Sequence, residues 1–96
     1  MADWHLYILR TASGSLYTGV TTDVQRRLSE HQSGGPRCAR SLRGRGPLEL
    51  VFSQPVGDRS RALSLEWRIK RWPRRHKDAL IRGDRVIPPL CQVKKP

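Results

Sequence analysis

Short runs of apolar, aromatic and branched residues punctuate this chain, and their spacing predicts where the backbone is extended and where it is helical. Trp4-His5-Leu6-Tyr7-Ile8-Leu9-Arg10 and Ser15-Leu16-Tyr17-Thr18-Gly19-Val20 read as two strands. The small residues Thr11-Ala12-Ser13-Gly14 between them predict an antiparallel hairpin, in which Tyr7 and Tyr17 share a face. A third strand, Leu48–Ser53, starts after Pro47, where a missing N–H does least harm, and gives way to a loop at Gln54-Pro55-Val56-Gly57. Elsewhere the period is helical. Val24 and Leu28 form a thin stripe on a helix over 24–32, capped by Asp23 and stopped by Ser33-Gly34-Gly35-Pro36, with Arg27 and His31 side by side at i, i+4. Ala62, Leu65, Ile69 and Trp72 mark a second helix, capped by Asp58 or Ser60 and ended by Pro73. Arg74 to Arg82 resumes the helical pattern until Gly83. The order β-β-α-β-α-α predicts an α+β domain over residues 1–83, a three-stranded sheet with helices packed on it. The tail, 84–96, has too little apolar matter to specify structure alone.

One residue breaks the pattern of the second helix. At about 100° per residue, Glu66 falls within the apolar arc, roughly 40° from Ala62. Burying a carboxylate there costs several kcal/mol unless a cation or metal ion meets it. A salt bridge to one of the many arginines is the ordinary explanation; a metal ligand is the other.

Composition narrows the partners. Ninety-six residues make one small domain with a modest core. Nineteen Lys and Arg against eight Asp and Glu give a net charge of +11, which attracts polyanions, nucleic acid first and anionic membrane second. Arginine greatly outnumbers lysine, which suits bidentate phosphate contacts. No stretch has the roughly 20 apolar residues of a membrane span, and Met1-Ala2-Asp3-Trp4-His5 lacks the regions of a signal peptide, so the expected location is the cytosol or nucleoid. Cys38 and Cys91 are far apart and read as free thiols; no ligand spacing supports a zinc site built from them with His31 and His76. From Gly34 to Pro47 the chain carries Arg37, Arg40, Arg43 and Arg45 with almost nothing apolar, and reads as unpacked, either a solvated loop or an arm that contacts phosphate.

Tyr7 and Tyr17 on neighbouring strands, then Gly19, Arg27, His31 one turn later and finally Glu66 form an ordered set that resembles the GIY-YIG nuclease family. His5-Leu6-Tyr7 stands where the G-I-Y triplet belongs and Tyr17-Thr18-Gly19 where Y-I-G belongs. Leu16 to Val24 with Arg26-Arg27-Leu28, and Asp58-Arg59-Ser60 leading to Ala62, Glu66, Ile69 and Lys70, look more narrowly like its small single-domain YhbQ-like bacterial branch. The resemblance covers residues 4–82 and implies a central three-stranded antiparallel sheet and phosphodiester hydrolysis dependent on one divalent cation.

Such hydrolysis requires fixed positive charge at the phosphate, a base for the water and a Lewis acid or proton donor at the leaving oxygen. Under this resemblance Glu66 is the protein's carboxylate for Mg²⁺ or Mn²⁺, Arg27 clamps a non-bridging oxygen, and Tyr7 or Tyr17 is the base. A phenol has a free pKa near 10, so whichever tyrosine acts must be helped by the metal, by cations or by His31. Arg37, Arg40, Arg43 and Lys70 are the expected substrate-binding cations. The chain departs from the family at the opening glycine, which is His5, in having no Asn for the late amide position, and at Arg37-Cys38-Ala39-Arg40, where relatives tend to carry an aromatic and a threonine. These departures touch substrate grip more than the five core positions. With no base-reading element or second domain in view, DNA affinity is expected to be electrostatic and structure-selective, with any further targeting from a partner protein. The competing reading is a nucleic-acid binding module with this fold and little catalysis.

Overall fold

The structure, a computed structural model, describes residues 3–87. Its elements are β1 (Trp4–Arg10), β2 (Leu16–Thr21), α1 (Val24–Ser33), a 3-10 turn at Arg40–Leu42, β3 (Glu49–Gly57), α2 (Arg59–Lys70) and α3 (Arg74–Arg82). The predicted α+β order is the observed one. A single antiparallel sheet runs β2-β1-β3, so the first strand is central and the other two are edges. The hairpin closes where Thr11 N–H donates to the Ser15 carbonyl at 2.9 Å, with Gly14 at φ 94° supplying the turn.

Alternation along β1 divides the core in two. Leu6 and Ile8, both fully buried, face Leu65 and Ile69 of α2 and Leu80 of α3. Each such side chain contributes about 1.5–3 kcal/mol. Tyr7 and Leu9 point the other way, toward Cys38, Leu42 and Leu48, with Val24 and Leu28 of α1 alongside. The register sets Tyr7 opposite Gly19 and Leu9 opposite Tyr17, which puts both tyrosines on this second face, as the hairpin predicted. The α1 caps are those read from the sequence: Asp23 accepts the Arg26 N–H at 3.1 Å and Gly34 closes the helix at φ 69°. Asp58, and not Ser60, caps α2 by accepting the Arg61 N–H at 2.9 Å.

Three expectations are corrected. β3 continues through Gln54-Pro55-Val56-Gly57 instead of looping; it is an edge strand, where proline is tolerated, and the ladder shifts register between Trp4 and His5 to accommodate it. α2 ends at Lys70, so Trp72 packs on the core from the connection to α3. The arm is not unpacked: Cys38 and Leu42 are buried and the 3-10 turn sets them against Leu9. So few apolar residues suffice because only one side of the arm meets the sheet. Cys38 is a free thiol, whereas Cys91 and residues 88–96 of the expected tail lie outside the described residues.

Candidate active site

The predicted residues come together from separate elements on the second face of the sheet and around its β2 edge. Tyr7 comes from the central strand, Tyr17 from the edge strand, Arg27 and His31 from adjacent turns of α1, and Glu66 and Lys70 from adjacent turns of α2. Tyr7 lies with its ring centroid 6.4 Å from that of Tyr17 and 6.2 Å from that of His31. The Tyr17 and His31 rings meet edge to face at 5.4 Å. Gly19 makes this packing possible. A Cβ there would sit 2.5 Å from the Tyr7 hydroxyl, so the glycine of Tyr17-Thr18-Gly19 is a space requirement set by the tyrosine across the ladder.

His31 is only 2 % exposed and both ring nitrogens are engaged. The Ala39 backbone N–H donates to Nδ1 at 3.2 Å, and Nε2 lies 3.0 Å from the Tyr7 hydroxyl. A backbone amide can only donate, so Nδ1 must be the bare nitrogen and Nε2 carries the hydrogen. His31 therefore donates to the Tyr7 oxygen. Burial first, and then the Arg27 charge, hold the imidazole below its ordinary value of 6.5, in keeping with a neutral ring. The same burial, reinforced by Tyr17, pushes the Tyr7 phenol well above its ordinary 10.0, while Arg27 pulls in the opposite direction. Tyr7 is thus an oxygen supplied with a donor and a nearby guanidinium, waiting for more positive charge before it can ionise.

Arg27 is half-buried, donating to Glu30 Oε1 at 3.0 Å and to the Arg37 carbonyl at 2.7 Å. The guanidinium holds the Glu30 carboxyl below the usual range. Glu30 is a partner that sequence reasoning passed over, although its i, i+3 spacing from Arg27 was a readable signal. The Ala39 amide is a second, and no side-chain pattern announces a backbone donor.

Glu66 keeps 20 % of its side chain exposed and pairs with Lys70 Nζ at 3.2 Å. The ion pair expected from the arginines is made by lysine one turn on. Lys70 Nζ also stands 5.8 Å from the Tyr17 ring centroid, which places the Glu66–Lys70 row at the β2 edge of the site. Among the described residues no three of His, Cys, Asp and Glu converge, so an ion held by Glu66 would draw at most one further ligand from these side chains. That donor set fits a small hard cation that keeps most of its water, since Glu66 is a partly open oxygen ligand and its partner Lys70 is a flexible, exposed side chain. Arg37, Arg40 and Arg43 are all exposed and, among the described residues, form no ion pair. Arg37 reaches the site through its carbonyl, and Arg43 Nη2 lies 3.5 Å from the Gly35 carbonyl.

Comparison with known proteins agrees with this fold. The GIY-YIG catalytic domain family matches residues 3–78. The chain is similar to the UPF0213 protein SG0387 of Sodalis glossinidius, 62% identical over 78 residues that cover 81% of this chain and 71% of that one. It is 58% identical to a UPF0213 protein of Yersinia pestis over 81% of this chain and 80% of that protein. The solution NMR structure of the UPF0213 protein BH0048 from Bacillus halodurans superposes with a TM-score of 0.54 at 36% identity, covering 97% of this chain and 95% of that one. With the tyrosine pair, Gly19, Arg27, His31 and Glu66 all on this fold, the chain belongs to the GIY-YIG family of nuclease domains, among its small bacterial members.

Proposed function

We propose that this protein is a divalent-metal-dependent endonuclease that hydrolyses phosphodiester bonds in DNA and selects substrate by structure more than by sequence. The observation that carries the reading is the His31–Tyr7 contact: a neutral imidazole, fixed by the Ala39 amide, aims its N–H at the phenol oxygen. A buried phenol ordinarily finds a hydrogen-bond partner; here the partner donates to the oxygen, the direction that favours the phenolate. In the reaction Arg27 meets a non-bridging oxygen of the scissile phosphate through a guanidinium N–H. Tyr7, as phenolate, accepts the proton of the attacking water while the water oxygen bonds to phosphorus and the bond from phosphorus to the leaving oxygen breaks, and His31 donates to the Tyr7 oxygen throughout. Tyr17, packed edge-on against His31 and beside Lys70, orients the water. Glu66 is the residue that would hold Mg²⁺ or Mn²⁺. Bound there, the ion supplies Lewis acidity to the leaving oxygen and the positive charge that Tyr7 needs to ionise.

The net charge of +11, with exposed Arg37, Arg40 and Arg43, supports electrostatic attachment to the backbone of the substrate. The test is cleavage of labelled single-stranded, duplex and branched DNA with Mg²⁺, Mn²⁺ or EDTA, using parent and Glu66→Gln proteins side by side. Parent cleavage should require metal, and the variant should lose at least about a hundredfold in rate while binding DNA equally well in EDTA. Equal cleavage by the two proteins would remove Glu66 from the site. Salt-sensitive binding without cleavage by either would instead favour a binding module of this fold.

A further inference from the structure

The outer side of α2 carries a feature that the hydrolytic site does not use. Arg59, Leu63 and Trp67 of α2 and its C-capping Arg71 recur at i, i+4, i+8 and i+12, so they form one row along the helix and its cap, and all four are exposed. Trp67 is 59% exposed, although an indole in a small domain normally finds cover in the core. It is also backed by a cation. The Arg71 guanidinium lies 3.9 Å from the Trp67 ring centroid, and Arg71 Nη1 donates to the Trp67 carbonyl at 3.2 Å. One face of the indole is thus occupied by a stacked cation anchored to the same turn of helix. This row borders the one containing Glu66 and Lys70, offset by a single residue, and spans about 18 Å of helix.

We infer that the Arg59–Leu63–Trp67–Arg71 row is a stacking platform for an unpaired stretch of the nucleic-acid strand that enters the Glu66 site. An exposed indole backed by a guanidinium offers a flat surface to any base, and the arginines at the two ends of the row meet the flanking phosphates. Leu63 gives the sugar an apolar neighbour. A base inside a duplex has no free face, so the platform distinguishes single-stranded and branched substrates from continuous duplex. Charge favours this occupant over a second copy of the chain, because two molecules of +11 repel and the row ends in arginines. The inference rests on the nucleic-acid reading above and gives it a source of structure selectivity.

The test measures binding in EDTA, so that nothing is cut, of oligothymidylate and of a duplex of equal length to the parent, Trp67→Ala and Trp67→Phe proteins. Because Trp67 is exposed, both variants should keep the parent's circular dichroism and melting temperature. The parent should bind the single strand with quenching of tryptophan fluorescence. Trp67→Ala should weaken single-strand binding by about tenfold and duplex binding by less than about twofold, with Trp67→Phe between it and the parent. If Trp67→Ala binds both forms like the parent, with the same salt dependence, the platform is wrong while the nucleic-acid reading stands. No binding of either form by the parent at low salt defeats that reading as well. A parent dimer in sedimentation equilibrium that Trp67→Ala converts to monomer would assign the row to self-association and overturn the proposal.

Discussion

Gly19 shows how one missing atom organises the site. Since a Cβ would come within 2.5 Å of the Tyr7 hydroxyl, Gly19→Ala must push that oxygen away from His31. Overpacking of this kind costs about 1–3 kcal/mol, so the variant should stay folded in urea titrations yet cleave at least about tenfold more slowly. Full activity would mean that the Tyr7 position is unimportant. His31 gives a second test, in pH. Its native pKa lies below the unfolded value, so as pH falls below about 6.5 the unfolded chain takes up a proton that the native ring resists, and stability declines. A proton on Nδ1 would also face the Ala39 N–H, donor against donor. The melting temperature of the parent should therefore drop more steeply than that of His31→Gln between about pH 7 and about pH 5. His76 is depressed as well, by burial and by Arg85, but it is common to both proteins and drops out of the difference. At this scale the sequence was legible where chemistry sits in side chains: Tyr7, Tyr17, Arg27, His31 and Glu66 could each be nominated. The tautomer of His31 was not, because it is decided by a backbone amide eight residues on.

Among the elements, the segment from Gly34 to Pro47 departs most from its composition. Arginines and glycines predict an unpacked arm, but Cys38, Leu42 and the following Leu48 attach it to Leu9 and bring the Ala39 amide to His31. Leu42→Ala should cost about 2–4 kcal/mol in urea denaturation, where a truly unattached arm would show almost none. The strands, by contrast, were readable from their aromatic and branched runs, apart from the end of β3. Gln54-Pro55-Val56-Gly57 reads as a loop, and whether its proline ends a strand depends on whether β3 is an edge, which is a property of sheet order and not of local sequence. The second helix was readable in its apolar face and in its start at Asp58 or Ser60, while the choice of cap and its last residues depended on packing in the fold.

For the whole molecule the leading fact is charge. Replacing Arg37, Arg40 and Arg43 together by Ala should weaken DNA binding and flatten its salt dependence by about one unit of slope for each phosphate that is no longer neutralised. An unchanged slope would show that the packed arm faces away from the nucleic acid. The Glu66–Lys70 pair then acquires a thermodynamic meaning. On the proposed function the carboxylate already has a resident counter-ion, so metal loading at Glu66 would be an exchange: the arriving cation would take the carboxylate and set an ammonium group free beside Tyr17. That released charge is one more partner for a phosphate, and phosphate holding Lys70 leaves Glu66 vacant. Metal and substrate should consequently bind with positive cooperativity, each raising the other's affinity by the same factor.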